Sequence, residues 1–371
     1  MMNNLGELSL IEHIRSEWGA AGRTSHGLAR GVVLGIGDDC AILRPPRGHE
    51  LLVTTDFTLE GSHFRRDWHP PESVGHRTLA RGLSDLAAMG ARPWTAFLSL
   101  ALPAKMLTSR SEQAWVKRFF TGLRRLADRH AVPLVGGDTS ESSGGLVLAD
   151  IVLIGSAPAG RALRRSGGRA GDALYVTGEL GGAAAELAYM ELRATKSKSK
   201  PISPRMPRTL AIPRSWRNRW DPTSKSSAQH PQLFPQPRLA VGLALLRRRL
   251  ATAAIDLSDG LSTDLAHLCR ESGVGAQISS ASLPIHPLAL QARAAQVNRA
   301  DTALELALHG GEDYELLFAA PLSARVPRSI AGVRITRIGS LVRGSSISLM
   351  DPTGRCSPLQ PGGWEHFTHK H

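Results

Sequence analysis

The feature that most constrains the fold is an alternation of short apolar, β-branched runs with longer segments of helical periodicity. In the segment Glu72–Met89 the apolar residues recur at about the 3.6-residue spacing of a helical turn. A strand-like run follows at Thr95–Leu102, and a second helical segment at Ser111–His130 precedes an apolar strand at Leu146–Ile154. Strands and helices that alternate along a chain predict an α/β fold.

The length of 371 residues predicts two domains, because globular domains average ~100–200 residues. The first is expected over residues 1–158 and the second over residues 159–371. The second contains a helical segment rich in Ala and Leu, Gly181–Leu192, and later a short strand, Ala253–Leu257, that leads into a helix at Leu261–Glu271. Both domains are therefore expected to be of the α/β class.

A basic segment interrupts the second domain. The chain has a net charge of +13, and +9 of it lies between Leu192 and Ala228, where ten Lys and Arg residues accompany one acid, Asp221. Five prolines and the lack of helical or strand periodicity predict a disordered, self-repelling insertion at about 194–228, on the surface and away from the motifs. The alternative is nucleic-acid binding, because Arg and Trp interleave in this segment. We favour a solvated spacer, since the basic charge is mostly confined to this one segment.

Composition excludes several classes of protein. Cys40, Cys269 and Cys356 lie far apart and form no CxxC pair, which excludes a zinc ribbon or a thioredoxin motif and suits a reducing compartment. No apolar run approaches the ~18 residues of a membrane helix, and the charged start of the chain lacks the apolar core of a secretory signal. We therefore expect a cytoplasmic protein without a membrane partner.

Acidic residues recur where predicted strands begin or end. Five turns carry them, and these are Asp38-Asp39, Asp56, Asp138, Asp256 with Asp259, and Glu312-Asp313. Any single turn of this kind is ordinary, because glycine adopts positive φ and Asp caps its own turn. Five of them predict a functional site, since loops at strand ends carry the binding sites of open α/β sheets.

Asp85 differs from the other acids because it lies within a helical, otherwise apolar stretch. A buried carboxylate is costly unless it is paired or bound to a cation, and a salt bridge to Arg81 or Arg92 would satisfy Asp85 without any function. Together with the acidic turns, Asp85 predicts a hard cation such as Mg²⁺, which takes oxygen ligands and shares them with phosphates. The chain has neither a GxxxxGK[ST] loop nor protein-kinase motifs. The sequence therefore predicts phosphoryl transfer in which metal ions hold the nucleotide.

Eight stretches of the sequence resemble one family. They are GIGDDCAIL (35–43), TTDFTLEGSHF (54–64), LSDLAAMGARP (83–93), VGGDTS (135–140), GRALRRSG (160–167), IDLSDGLSTDL (255–265), GGEDYELLF (310–318) and GGWEHF (362–367). This set resembles the thiamine-monophosphate kinases, in the superfamily that includes aminoimidazole ribonucleotide synthase and selenophosphate synthetase. The third and fourth stretches are shared across that superfamily, whereas the second and seventh indicate the kinase family.

The resemblance implies a two-domain aminoimidazole ribonucleotide synthase-like fold, in which N-terminal domains pair in a homodimer to form a β-barrel. It implies ATP-dependent phosphorylation of thiamine monophosphate to thiamine diphosphate, the last step of thiamine diphosphate biosynthesis, with several Mg²⁺ ions. The implied metal ligands are Asp39, Thr54, Thr55, Asp56, Asp85, Asp138, Asp256 and Asp259. The implied ATP contacts are Gly137, Asp138, Arg165 and Ser258, and the implied substrate contacts are His63, Glu312 and Trp364.

No general base is expected for such a transfer. The acceptor is a phosphate oxygen, and a phosphomonoester with a second pKa of about 6 is largely ionised at neutral pH. The barrier is the approach of two polyanions, which metal ions held by carboxylates reduce. The residues expected to assist in this way are Asp39, Asp56, Asp85 and Asp138.

Alternatives remain for the family and for single residues. Another enzyme of the superfamily, aminoimidazole ribonucleotide synthase-like or selenophosphate synthetase-like, shares several of these motifs. The latter is expected to have a reactive cysteine in an N-terminal glycine-rich segment, and no cysteine precedes Cys40. Trp364 either stacks on the thiazolium ring or anchors the C-terminus in the core. His63 has a structural role in a loop as its alternative, and Glu312 has a turn or capping role.

Overall fold

The computed structural model describes residues 7–18, 23–24, 27–28, 31–196, 230–294 and 302–364. The chain divides into two compact units, an N-terminal unit of Met1–Leu86 and Ala91–Arg161, and a C-terminal unit of Ala87–Gly90 and Ala162–His371. Of the predicted insertion at 194–228, everything after Lys196 lies outside the described residues. None of the described helices is long and apolar enough to cross a membrane.

The N-terminal unit is built around one four-stranded sheet with the strand order β5-β8-β6-β7, in which β6 and β7 are parallel. Two short ribbons, β1-β2 and β3-β4, accompany it. The elements are α1 Glu7–Trp18, β1 Arg23–Thr24, β2 Gly27–Leu28, β3 Val32–Leu34, β4 Ile42–Leu43, β5 His49–Leu59, α2 Pro71–Ala88, β6 Arg92–Leu102, α3 Lys105–Thr108, α4 Arg110–His130, β7 Leu134–Glu141 and β8 Leu148–Pro158. The sheet is open, and the described residues form no closed barrel.

Helix α2 covers one face of this sheet and packs in turn against α4. A Cβ placed on Gly82 of α2 would lie 2.6 Å from Leu153 of β8, so α2 packs directly on the sheet. α2 and α4 cross at glycines: a Cβ on Gly75 would lie 1.9 Å from the Phe119 carbonyl oxygen, and a Cβ on Gly122 would lie 1.9 Å from that of Glu72. Only glycine permits backbones this close, so these two positions set how the helices cross.

The C-terminal unit contains an eight-stranded mixed sheet with the order β10-β12-β9-β14-β11-β15-β16 and β13 paired to β14. β11 and β15 are parallel, and the other pairings are antiparallel. The elements are β9 Ala173–Thr177, α5 Gly182–Lys196, α6 Leu239–Arg247, β10 Ala253–Asp256, α7 Leu261–Ser272, β11 Gly275–Ser279, a 3-10 turn Ser280–Ser282, α8 Pro287–Ala294, α9 Ala303–His309, β12 Leu316–Ala320, β13 Ser329–Ile330, β14 Val333–Val342, β15 Ile347–Met350 and β16 Cys356–Pro358.

The core of this unit lies between the sheet and α7. Leu265 of α7 packs with Ile255, Leu317 and Ile338 from three strands, and all four side chains are buried. The apolar residues of α7 recur at helical spacing, and the central strands are continuous apolar runs, so each element has a face to bury here. The turn between β10 and α7 is thereby fixed on a rigid base.

Candidate active site

In the N-terminal unit, Asp85 of α2 lies against β5, on the face of the sheet that α2 covers. Thr54 of β5 donates its hydroxyl hydrogen to a carboxylate oxygen of Asp85. Asp56, two residues further along β5, is paired with Arg81 of α2, with Arg81 Nε and Asp56 Oδ1 3.6 Å apart. The contacts therefore place Thr54, Asp56 and Asp85 on the face that α2 covers, and we call Asp56 and Asp85 the carboxylate pair.

The two carboxylates of this pair repel each other. Burial and, after it, the neighbouring Asp85 carboxylate raise the pKa of Asp56 to about 7, against the opposing effect of Arg81. Two such carboxylates with a threonine hydroxyl are oxygen donors, which is the ligand chemistry of Mg²⁺. Within the part of the chain that the structure describes, no group of three or more His, Cys, Asp or Glu side chains is arranged to hold a metal ion. In charge and donor type, the two carboxylates and the threonine hydroxyl nevertheless fit a divalent cation.

A second acidic row runs across the opposite face of the same sheet. Alternation along β5 directs Thr55 away from Thr54 and Asp56, and its hydroxyl donates to Asp150 Oδ1 of β8 at 2.7 Å. Asp150 lies opposite Ser99 of β6, which in turn lies opposite Asp138 of β7. Cross-strand neighbours share a face, so the strands divide the predicted ligands between two faces of the sheet. Asp150 is not among the predicted site residues, although an acid within the apolar strand Leu146–Ile154 is the same kind of signal as Asp85 in its helix.

The prediction that Asp56 and Asp138 lie in turns at strand ends is wrong. Asp56 lies inside the 11-residue strand β5, and Asp138 lies inside β7, which continues to Glu141. The glycines before Asp138 do not form a turn; a Cβ on Gly137 would lie 1.9 Å from the Leu98 carbonyl oxygen of β6. Glycine is thus required there for the close approach of two strands. By contrast, Asp256 ends β10 as predicted.

A cavity of about 970 Å³ lies in the N-terminal unit beside β7. Its lining includes the loop residues Asp38 and Asp39 together with Gly137 and Asp138. Arg15 of α1 lies against this loop, because a Cβ on Gly37 would be 2.6 Å from its guanidinium carbon. The structure therefore brings three predicted site residues, Asp39, Gly137 and Asp138, to one cavity.

In the C-terminal unit, Asp264 holds the turn Ser258–Gly260 that joins β10 to α7. Its Oδ2 accepts hydrogen bonds from the backbone N–H groups of Ser258, Asp259 and Gly260, each at 3.1 Å. Burial and the nearby Asp259 carboxylate raise the pKa of Asp264 to about 7, against the effect of these three bonds. We call Ser258–Gly260 with Asp264 the capped turn. Asp264 was not predicted, although an acid in the first turn of a helix is a recognisable capping signal.

The two predicted substrate contacts of this unit, Glu312 and Trp364, are both hydrogen-bonded to the capped turn. The backbone N–H of Glu312 donates to the Ser258 carbonyl at 2.7 Å, and that of Trp364 donates to the Asp259 carbonyl at 3.0 Å. A Cβ on Gly363 would lie 1.9 Å from the same Asp259 oxygen, so this close docking requires glycine. The Trp364 side chain is 55% exposed, which excludes its alternative role as a core anchor.

The strand β12 begins only at Leu316, after the acidic turn at Glu312-Asp313. Glu312 and Tyr314 have φ values of 57° and 50°, which a strand cannot contain. A left-handed non-glycine residue stores strain of about 1–2 kcal/mol and persists only where surrounding contacts fix it. Glu312 therefore lies in a strained turn, and its side chain accepts a hydrogen bond from Gln232 at 2.8 Å.

The remaining predicted residues are placed by local contacts. His63 closes the turn after β5, where its Nδ1 accepts from the Leu59 N–H at 3.0 Å and its carbonyl accepts from Arg77 at 3.1 Å. Arg165 is exposed in the segment that follows the N-terminal unit, and its carbonyl accepts from Ser272 at 2.8 Å. These contacts fix the orientation of the His63 ring, and the Arg165 side chain lies at the surface.

Comparison with known proteins gives consistent matches over both units. Residues 37–157 match the AIR synthase related protein N-terminal domain, and residues 169–351 match the C-terminal domain of the same family. Over 340 residues the chain is 36% identical to the thiamine-monophosphate kinase of Escherichia coli (strain K12), which covers 91% of this chain and 92% of that relative.

Solved structures agree. The crystal structure of thiamine-monophosphate kinase from Stenotrophomonas maltophilia K279a is similar with a TM-score of 0.71 and 33% identity, covering 93% of this chain and 96% of that chain. AaThiL complexed with AMPPCP and TMP is similar with a TM-score of 0.68 and 28% identity, covering 99% of each chain. The similarity therefore extends over both units and over sequence and fold alike.

Proposed function

The chain belongs to the AIR synthase related protein family and, within it, to the thiamine-monophosphate kinases, and we propose that it transfers a phosphoryl group from ATP to thiamine monophosphate. The products are thiamine diphosphate and ADP. The fold is the two-domain α/β fold of that family. The observation that carries this function is the 36% identity over nine-tenths of the chain, with ATP and thiamine monophosphate as substrates in line with the AMPPCP and TMP of the AaThiL complex.

The chain holds Mg²⁺ through oxygen donors of the N-terminal unit. Thr54, Asp56 and Asp85 would form one part of its ligand set, and the chemistry that supports this is the mutual repulsion of the carboxylate pair. When bound, Mg²⁺ offsets the charge of the phosphates and of the group in transfer. Further ligands are proposed in both units, and they are Asp39, Thr55, Asp138, Asp256 and Asp259.

The proposed contacts of the nucleotide phosphates in the N-terminal unit lie at the cavity beside β7. Gly137 and Asp138 line this cavity, and both are exposed. The proposed ATP contacts of the C-terminal unit are Ser258 in the capped turn and the exposed Arg165. The guanidinium of Arg165 would bind two phosphate oxygens at once.

The proposed contacts for thiamine monophosphate are His63, Glu312 and Trp364. Trp364 offers an exposed aromatic face to the thiazolium cation, and Glu312 offers a negative charge. The acceptor phosphate is already ionised at neutral pH, so the chain supplies no general base and instead orients the two phosphates.

The test is a ³¹P NMR measurement of the full chain incubated with MgCl₂, ATP and thiamine monophosphate. The expected result is stoichiometric thiamine diphosphate and ADP, with direct transfer and no free phosphate. A parallel incubation with the aminoimidazole ribonucleotide precursor as the only acceptor is expected to show no ATP consumption. ATP consumption with that acceptor, or with selenide, and none with thiamine monophosphate would favour the other enzymes of the superfamily.

The homodimer is a further part of the proposal, and one face of β5 supports it. β5 is at the edge of its sheet, and Leu51, Val53 and Phe57 are 44%, 65% and 60% exposed on its outer face. Large apolar side chains on an edge strand mark a protein interface, and a second copy would extend the sheet towards the barrel expected for the family. Light scattering of the full chain is expected to give the mass of a dimer, and the mass of a monomer would contradict this.

The cytoplasmic location, the domain limits and the role of the basic insertion also stay predictions. The cytoplasmic location is tested by cell fractionation, and the domain limits, 1–158 and 159–371, by expression of the separate domains. The basic insertion at 194–228 is predicted to be dispensable. Its deletion is expected to leave turnover unchanged, and salt-sensitive RNA binding lost on the same deletion would support the nucleic-acid alternative.

A further inference from the structure

A series of hydrogen bonds between polar residues in the C-terminal unit ends at Glu312. Glu186 of α5 accepts from His230 through one carboxylate oxygen, with His230 Nδ1 and Glu186 Oε1 2.5 Å apart. Its other oxygen accepts from the backbone N–H of Gln232 at 2.8 Å. The side-chain Nε2 of Gln232 then donates to Glu312 Oε2, also at 2.8 Å. One carboxylate on α5 thus fixes the segment that orients the Glu312 side chain.

This series of hydrogen bonds is rigid because Glu186, His230 and Gln232 are almost fully buried. Glu186 and His230 are each 2% exposed, and Gln232 is 1% exposed. A buried carboxylate is stable only with partners for its oxygens, so Glu186 stabilises the fold only while residues 230–232 stay in place. The segment 230–232 is therefore fixed by α5.

The start of the same helix holds the backbone on the other side of Glu312. Asp313 accepts hydrogen bonds from the N–H groups of Gly181 and Ala183, at 2.8 Å and 3.4 Å. The Glu312 backbone is strained, with φ of 57°, and strained residues persist where the surroundings over-determine them. α5 therefore fixes Glu312 twice, through Asp313 for the backbone and through Glu186 and Gln232 for the side chain.

The choice of donor has an electrostatic consequence. Gln232 is a neutral amide, so it orients the Glu312 carboxylate without cancelling its charge, whereas Lys or Arg would form an ion pair and neutralise it. We propose that Gln232 is a positioning residue that presents Glu312 as a charged acceptor for a cationic ring of the substrate. This inference rests on the proposed function, because it takes Glu312 as a contact of the thiazolium-bearing substrate.

The experiment is calorimetry with thiamine monophosphate and with ATP on the full chain and its variants. Gln232→Leu removes the donor, and Gln232→Lys keeps a donor but adds the neutralising charge. Both are expected to raise the Kd for thiamine monophosphate about tenfold, the effect of one hydrogen bond to a charged group, and to leave the Kd for ATP unchanged. In steady-state kinetics the KM for thiamine monophosphate should rise in the same proportion while the KM for ATP stays constant.

Gln236→Leu is the matched control, because Gln236 lies in the same segment and its Nε2 donates to the Phe234 carbonyl at 2.9 Å instead. It is expected to bind both ligands as the unaltered chain does. In a Glu312→Gln background, Gln232→Leu should add no further loss, since the two residues act through one contact.

Three outcomes overturn the inference. They are an unchanged Kd for thiamine monophosphate in Gln232→Leu, an equal loss in the Gln236→Leu control, and additive losses in the double variant. If Gln232→Leu does not fold, Gln232→Lys decides, with a normal Kd overturning the proposal. An unaltered chain that neither binds nor phosphorylates thiamine monophosphate would instead contradict the proposed function.

Discussion

The carboxylate pair of the N-terminal unit and the capped turn of the C-terminal unit satisfy their buried acids in opposite ways. Burial raises the pKa of both Asp56 and Asp264 to about 7. Asp56 has a second carboxylate, Asp85, and one arginine as neighbours. Asp264 has three backbone N–H groups of its own turn. The donors that hold Asp264 are thus supplied by the fold itself, whereas the carboxylate pair is fully stabilised only by an added cation.

This comparison predicts that acids of the two regions respond differently to substitution. Removing a carboxylate from the pair relieves repulsion, so it should harm activity and spare stability. Removing the carboxylate of the capped turn leaves buried donors without an acceptor, so it should harm stability first.

The largest expected effect is on turnover in Asp85→Asn. The variant keeps an acceptor for the Thr54 hydroxyl but loses the charge that would hold Mg²⁺, so kcat should fall by about 10³-fold or more. Steady-state kinetics with ATP and thiamine monophosphate measure this. Asp67→Asn, at an exposed ion pair with Arg65 in the same unit, should retain normal turnover. A loss below about tenfold in Asp85→Asn would place Asp85 outside the metal site.

The next effect is on stability in Asp264→Ala. Three backbone N–H groups lose their acceptor, and even with partial hydration the variant should lose about 3 kcal/mol of unfolding free energy. Calorimetry is expected to show a melting temperature lower by roughly 6 °C. The control is Glu271→Ala on the same helix, where the side chain is 53% exposed, and its melting temperature should stay within about 1 °C. Equal melting temperatures for Asp264→Ala and Glu271→Ala would contradict the claim that Asp264 stabilises the fold through the capped turn.

Much of this molecule follows from its sequence, and the failures have physical causes. The helix α2 and the β10–α7 junction were predicted because apolar spacing and a strand-ending acid are local signals. The family resemblance, drawn from eight motifs, is confirmed by the matches over both units. The turns predicted at Asp56 and Asp138 rest on Gly and Asp as turn residues, yet Arg81 pairs with Asp56 inside β5, and Gly137 allows β7 to approach β6 closely beside Asp138.

Other site features depend on long-range contacts that no local pattern reports. The link from Gln232 to Glu312 joins residues 80 positions apart, and the bond from Thr55 to Asp150 joins residues 95 positions apart. The partition of Thr54 and Thr55 between two faces follows from strand alternation, but only once the strand is known to continue through them. A single sequence therefore supplies candidate site residues, whereas their arrangement depends on contacts between distant parts of the chain.

The smallest expected effect is a pH dependence at Asp313. Burial raises its pKa from 3.8 to about 7, so the folded chain favours the protonated form. The stability that this group contributes is fully present below about pH 4 and is lost as the pH rises through about 7. Asp313→Asn cannot titrate, so its melting temperature relative to that of the unaltered chain should rise by roughly 5 °C between pH 5 and pH 8.

The control for this pH series is Asp351→Asn. The hydroxyl of Thr353 and nearby backbone N–H groups hold the pKa of Asp351 below its usual range, so it does not titrate between pH 5 and pH 8. Its difference from the unaltered chain should stay constant over that interval. If Asp313→Asn shows the same flat difference, the Asp313 carboxylate is ionised in the folded chain throughout.

The most direct measurement is the melting temperature of the unaltered chain and of Asp85→Asn as MgCl₂ is added. Without a divalent cation, the variant is expected to melt higher, because it lacks one of two repelling carboxylates. Saturating Mg²⁺ should stabilise the unaltered chain by ~2–3 kcal/mol and the variant by much less, so the order of the two melting temperatures reverses. An equal rise in both proteins, or none in either, would contradict the claim that a cation completes the carboxylate pair.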